Sequence, residues 1–208
     1  PLTLKVYSTN HSSEKPKYLP LNWTDVIGVE APLALQNERE QAERILSERT
    51  VYKKSNRNKG AIVRLQLDNS LPNSEAYVLD VSHQGINIKG KTPAGVFCGL
   101  MTLEQLCIGN GSFAPSQTIP ALHIADQPRT AIRELMVDPV RHFIPFNHLK
   151  AFIKEMARYK YNALHLHLVD DQAWRIEIKK YPELVEKASD RVGMDDMPER
   201  ISGYYTQD

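Results

Sequence analysis

The sequence predicts an α+β domain, an antiparallel sheet with helices on one face, followed by a strand–helix–strand segment of a parallel sheet. Three observations carry this reading. Residues 61–67 (AIVRLQL), 76–82 (AYVLDVS) and 85–90 (GINIKG) alternate apolar and polar side chains with the period of two that marks half-buried strands. Two other stretches place apolar residues at helical spacing among polar ones. After residue 128 the pattern changes to two short, nearly continuous apolar runs on either side of a helix, which is how strands buried on both faces read.

In chain order, Pro32 to Arg49 carries Leu35, Ala42, Ile45 and Leu46 among glutamates and arginines, an amphipathic helix with one face to bury. The strands at 76–82 and 85–90 flank His83-Gln84-Gly85, a hairpin turn. Thr92 then sits where a helix cap is expected, with Pro93 at the first helical position and Val96, Phe97, Leu100, Met101 and Leu103 forming a broad apolar face. A proline-rich connection follows, with Pro115, Pro120 and Pro128 spread through residues 112–130. Arg133 to Asp138 reads as a short apolar strand. Asn147 is expected to cap a helix whose face is Leu149, Phe152, Ile153, Met156 and Ala157, and Ala163 to Val169 reads as a second strand. Such a βαβ unit is right-handed. The chain has no internal repeat and no low-complexity segment.

Composition narrows the function. The chain has 208 residues, 41% of them hydrophobic and 25% charged, and no apolar run approaches the roughly 18 residues of a membrane span. Its formal net charge is +1. The basic cluster Lys53, Lys54, Arg57 and Lys59 has no interleaved aromatics and reads as a solvated loop, so no nucleic-acid partner is expected. Cys98 and Cys107 fall nine positions apart on one helix, which separates their Cα atoms by about 13 Å, beyond disulfide reach. They read as core thiols and leave the redox compartment open. The opening residues PLTLKVYS do not read as a signal peptide. Asn10, Asn22 and Asn110 match a glycosylation pattern too short to weigh.

The polar residues just beyond the two late strands are the candidate site, because in parallel α/β sheets sites form at the carboxyl ends of strands. Arg141 and His142 follow the first strand; Asp170 and Asp171 follow the second. A guanidinium beside a carboxylate can hold the vicinal hydroxyls of a sugar through charge-assisted hydrogen bonds. A purely structural Arg–Asp pair has the same spacing. His165 and His167 share one strand face and read either as hydrogen-bonded inward histidines or, with Asp170, as metal ligands. Trp174 and Tyr181 could stack on a sugar or simply pack.

The run RELMVDPVRHFIPFNHLKAFIKEMARYKYNALHLHLVDDQAWRIEIKKYPEL, residues 133–184, resembles the opening of the catalytic domain of glycoside hydrolase family 20, the β-N-acetylhexosaminidases. The markers are D-x-x-R-H-F at Asp138 to Phe143, H-x-H-L-x-D-D-Q at His165 to Gln172, and W-R-I-E-I-K-K-Y-P from Trp174 to Pro182. Residues 75–106 resemble that family's accessory α+β domain. The resemblance implies an accessory domain over 1–127 and, over 128–208, the first strands and helix of a truncated (β/α)8 TIM barrel. It implies an exo-acting, retaining hydrolase that removes terminal β-linked N-acetylglucosamine or N-acetylgalactosamine, with the substrate's own acetamido oxygen as nucleophile. Arg141 is then the substrate-binding arginine, supported by Asp170, His167, Asp171 and His142, and no metal or cofactor is expected.

Three positions depart from the family's pattern: Pro139 inside D-x-x-R, Leu166 where tryptophan is common, and Ala173 where glycine is common. The catalytic Asp–Glu pair belongs to a later barrel strand and is expected downstream of Asp208, so the chain alone is expected to be inactive. The expected partner is a glycan ending in β-linked N-acetylhexosamine, and the incomplete barrel is expected to self-associate. A secreted, periplasmic or lysosomal setting follows from the resemblance alone. Two other readings are open: a non-catalytic carbohydrate-binding or interaction protein, and a metal-dependent barrel hydrolase using His165, His167 and Asp170.

Overall fold

The computed structural model describes residues 3–6, 20–54, 59–108, 114–192 and 200–207. Arg57 of the basic cluster and the asparagines Asn10 and Asn110 lie outside the described residues. The chain divides into two units, Pro1–Ala131 and Ile132–Asp208.

The first unit is built on a six-stranded sheet. Its strands are β1 (Thr3–Val6), β3 (Val26–Glu30), β4 (Ala61–Leu67), β5 (Tyr77–Ser82), β6 (Gly85–Gly90) and β8 (Leu122–Asp126), in the spatial order β1-β8-β5-β6-β4-β3. A short ribbon of β2 (Leu21–Asn22) and β7 (Thr118–Ile119) stands apart from it. The three strands read from alternation are present, but the sheet is mixed rather than antiparallel: β4 runs parallel to both β6 and β3. The cause is the connections. Helix α1 (Gln36–Arg49) carries the chain from β3 to β4, and helix α2 (Pro93–Cys107) carries it from β6 toward β8, so both helices join strands that point the same way. A second correction concerns the proline-rich stretch, which is not a bare connection. Leu122–Asp126 pairs antiparallel with β5 and β1 inside the sheet. Its five residues alternate, but prolines on both sides hide the signal.

Alternation places Val63, Leu65, Leu79, Val81, Ile86, Ile88, Leu122 and Ile124 on one face, where they pack with Ala42, Ile45 and Leu46 of α1 and Val96, Leu100, Met101 and Leu103 of α2. Cys98 and Cys107 are buried thiols outside any disulfide, as expected, and burial pushes the Cys107 thiol up to about 12. Gly99 lets α2 approach the sheet, since a Cβ at that position would lie 2.6 Å from Ile88 Cγ2. Glu104 is buried between the helices and accepts from Arg49 Nε at 3.1 Å. Thr92 occupies the N-cap position of α2, but its hydroxyl donates to Ser74 O at 2.6 Å instead of capping the helix. Tyr77 is buried and its hydroxyl contacts Thr102 Oγ1 at 2.7 Å and Asp126 Oδ2 at 3.0 Å.

The second unit opens with β9 (Glu134–Val137), helix α3 (Phe146–Arg158) and β10 (Ala163–Leu166); β9 and β10 pair in parallel. Both strands are shorter than the apolar runs that announced them. Asn147 is not the cap: the helix begins at Phe146 with Pro145 as its N-cap residue. Its far end closes in a Schellman motif, with Lys160 N–H donating to Ala157 O, Tyr161 N–H donating to Met156 O, and Lys160 in the left-handed region at φ +62°. Leu149 and Met156 of α3 are buried while Phe152 and Ile153 are exposed, and no residue of β9 or β10 is fully buried. The expectation of strands buried on both faces is therefore not met, because a two-stranded ladder with one helix has too few neighbours to cover it. Beyond β10 come α4 (Glu183–Ala188), β11 (Asp190–Val192) and β12 (Arg200–Ser202), the last two paired antiparallel.

Gly85 closes the hairpin between β5 and β6 at φ +146°, and a Cβ there would lie 2.4 Å from the Ile62 carbonyl oxygen. Gly85→Ala is expected to destabilise the first unit by about 1–3 kcal/mol, the scale of a forced backbone conformation. Trp23 and Trp174 are the two tryptophans, and Trp23 is fully buried in the first unit, so its fluorescence in a Trp174→Phe background reports urea unfolding there. An unchanged midpoint would show that the hairpin can relax around the added methyl.

Candidate functional site

Parallel pairing of β9 and β10 brings the residues after both strands to one edge of the ladder. The register Val137↔Leu166 continues through a hydrogen bond from His167 N–H to Val137 O at 2.9 Å. Asp138 therefore follows one strand where His167 follows the other.

Asp138 organises a tight turn. Its Oδ1 accepts the backbone N–H groups of Val140 at 3.0 Å and Arg141 at 3.1 Å, and its Oδ2 accepts from Arg141 Nη1 at 3.1 Å. The other guanidinium nitrogen, Arg141 Nη2, lies 2.8 Å from Asp170 Oδ2. That same oxygen is 2.7 Å from His167 Nε2, and Asp170 Oδ1 accepts from Asp171 N–H at 2.8 Å. Asp170 thus holds an arginine, a histidine and a backbone amide at once, and Arg141 is gripped by two carboxylates while staying partly open to solvent.

The backbone N–H of Asp171, then the His167 hydrogen bond and the Arg141 charge, hold the Asp170 carboxyl down at about 2. A depressed carboxyl contributes above its unfolded value of about 3.9 and loses that contribution as pH falls through the folded value. The pairing of Asp170 therefore persists to about pH 4 and is lost toward pH 2.

Arg141, Asp170, His167 and Asp171 come together; His142 stands exposed on the turn, outside this set of bonded groups. His165 lies on the same strand face as His167 but is exposed, 3.7 Å from Glu134 of the neighbouring strand. His165, His167 and Asp170 do not converge, and no three-ligand His, Cys, Asp or Glu group suited to a metal exists among the described residues. Trp174 Nε1 donates to Ile176 O at 2.7 Å, so its polar edge is committed within the fold, while Tyr181 is exposed.

Two members of the arrangement receive no site role from sequence reasoning. Asp138 stands in the D-x-x-R motif, where an aspartate three residues before an arginine can close the turn and pair with it. Arg175 is fully buried behind the turn, with its guanidinium on four backbone carbonyls: Pro139 and Val140 at 3.1 Å each, Gly203 at 2.9 Å, and Ser189. Its signal is the alternation of Trp174, Arg175 and Ile176, which puts a charge at an inward position.

Two family descriptions match consecutive parts of the chain: Glycosyl hydrolase family 20, domain 2, over residues 16–127, and Glycosyl hydrolase family 20, catalytic domain, over residues 131–208. A beta-hexosaminidase of Porphyromonas gingivalis is 40% identical over 155 residues, covering 72% of this chain and 20% of that protein. A beta-N-acetylhexosaminidase of Cellulomonas fimi is 41% identical over 132 residues, covering 62% of this chain and 26% of that protein. Among solved structures, the family 20 exo-beta-N-acetylglucosaminidase of Vibrio harveyi in complex with N-acetylglucosamine superposes with a TM-score of 0.80 at 27% identity, covering 99% of this chain and 31% of that one. The N-acetyl-beta-hexosaminidase of Streptomyces plicatus superposes with a TM-score of 0.73 at 33% identity, covering 90% and 38%. The chain spans about a fifth to a quarter of these curated relatives and about a third of these solved chains. Matched by both domains across nearly its whole length, the chain belongs to glycoside hydrolase family 20.

Proposed function

We propose that the chain is part of an exo-acting, retaining β-N-acetylhexosaminidase, with residues 1–127 as an accessory α+β domain and 128–208 as the opening of a (β/α)8 catalytic barrel. The observation that carries the reading is the Arg141 guanidinium, held by Asp138 and Asp170 at the carboxyl edge of two parallel strands. A guanidinium fixed by carboxylates presents its remaining N–H groups as a rigid donor array, which suits two neighbouring hydroxyls of a terminal sugar. His167 and the Asp171 amide keep Asp170 ionised and oriented, so the array is set before the sugar arrives. The Vibrio harveyi complex with N-acetylglucosamine supports a terminal N-acetylhexosamine as the ligand.

Hydrolysis in this reading is substrate-assisted: the acetamido oxygen attacks the anomeric carbon, a carboxylate orients the acetamido group, and an adjacent glutamic acid protonates the leaving oxygen. No Asp–Glu dipeptide occurs in the 208 residues. The 208-residue chain is accordingly expected not to hydrolyse a chromogenic β-N-acetylglucosaminide. General acid help alone is typically worth about 10² to 10⁴ in rate. Turnover above a buffer blank that survives repurification would overturn the division of labour proposed for this chain.

In the complete hydrolase, Arg141→Lys is expected to lower kcat/KM by at least about tenfold, or about 1.4 kcal/mol of transition-state binding, because a point charge cannot reproduce the planar fork. Unchanged kcat/KM would make Arg141 a purely structural partner of the two aspartates.

Ten of the twelve large exposed apolar side chains among the described residues belong to the second unit, including Ile132, Met136, Phe146 and Tyr159. The isolated chain is therefore expected to self-associate through residues 132–208. Light scattering over a concentration series checks this, and a constant monomer mass at high concentration would overturn it.

A further inference from the structure

The Arg141–Asp170 pair joins two segments that are far apart in sequence, 138–141 after β9 and 167–173 after β10. Asp138 sets the local shape of the first turn. It cannot set where that turn lies relative to Asp170, because all its hydrogen bonds stay within residues 138–141. The strand ladder supplies one tie through His167 N–H and Val137 O. Arg175 supplies another: its backbone N–H donates to Leu168 O at 2.8 Å, two residues before Asp170, while its side chain donates to Pro139 O and Val140 O, the two carbonyls just before Arg141.

The same guanidinium also binds Ser189 O and Gly203 O, and its backbone carbonyl accepts Tyr205 N–H at 2.8 Å. Phe143 covers it, with the ring centroid 5.8 Å from Cζ. A planar fork with five donors can reach carbonyls on three segments at once; an ammonium with three donors cannot reproduce that directional set.

We infer that Arg175 is a positioning residue for Arg141, fixing the Pro139–Val140 peptides so that the Arg141 guanidinium meets Asp170. The inference rests on the sugar-binding reading of Arg141 for its functional meaning, but not for its test.

The test uses the 208-residue chain and no sugar. Side-chain carboxyl carbon shifts follow the titration of Asp170 in the wild type, Arg141→Met, Arg175→Met and Arg175→Lys, with amide spectra reporting the fold. The groups facing Asp170 are the Asp171 amide, His167 and Arg141, so losing Arg141 while the first two remain raises its midpoint from about 2 part of the way toward the ordinary aspartate value of about 3.9. The expected result is that Arg175→Lys, which keeps the charge, shifts the Asp170 midpoint upward by as much as Arg141→Met. A folded Arg175→Lys chain with the wild-type midpoint overturns the inference and leaves Arg175 a purely structural tie to residues 189 and 203. Arg175→Met, where it folds, is expected to give the same shift as Arg175→Lys.

A measurement on the unmutated chain stands apart from any folding loss in the variants: the Arg175 Nη protons are expected to exchange with solvent far more slowly than those of Arg141. Equal exchange rates overturn the inference. Should Arg141→Lys leave kcat/KM unchanged in the complete hydrolase, the sugar reading falls while the Asp170 titration still decides the positioning role.

Discussion

Strands that run the same way cannot be joined by a tight turn, and much of this chain's architecture follows from that constraint. Each of the three long helices among the described residues is a crossover between strands of like direction: α1 between β3 and β4, α2 between β6 and β8, and α3 between β9 and β10. In the first unit the crossovers put α1 and α2 against the apolar side of the mixed sheet, where they share one core. In the second unit the same constraint has a chemical consequence. Two parallel strands deliver their carboxyl ends to one edge, so Asp138 and Arg141 arrive beside His167 and Asp170 without any long loop to guide them.

What steadies that edge is a charge withdrawn from water. A buried guanidinium is costly unless its donors are met, and Arg175 meets them with backbone carbonyls from residues 139–140, 189 and 203. Burial lowers its pKa, yet it keeps a neighbourhood of carbonyl dipoles that favours the charged form. Phe143 and Tyr205, with ring centroids 5.1 Å apart, close over the same region, and Tyr205 donates to Ile144 O at 2.7 Å. The segment after β12 is thus fastened to the turn after β9. The Asp170 carboxylate, by contrast, is partly open to solvent.

The division between units shows in how apolar surface is spent. Among the described residues, the first unit hides nearly all of its large apolar side chains, whereas the second leaves Met136, Phe152 and Ile153 open on a ladder of two strands and one helix. Side chains that read from sequence as core stand at the surface there, because a ladder of two strands and one helix has too few neighbours to cover them.

Local chemistry was readable in the sequence wherever cause and effect lie within a few residues. Alternation placed strands at 61–67, 76–82 and 85–90, the second one residue longer than the structure has it, helical spacing placed Ala42, Ile45 and Leu46 inward, and the motifs at Asp138 to Phe143 and His165 to Gln172 pointed to the edge where Arg141 and Asp170 meet. Pairing partners were not readable. The parallel register of β4 with β6, the recruitment of Leu122–Asp126 into the sheet, and the burial of Glu104 against Arg49 each depend on a segment distant in the chain. Arg175 is the clearest case. Its sequence neighbours announce only an inward-facing position, and its role comes from carbonyls 14 to 36 residues away. A side chain's period sets the direction it faces, but only the folded chain supplies the groups it meets there, because hydrogen bonds and burial act over a few ångströms of space whatever the distance along the backbone.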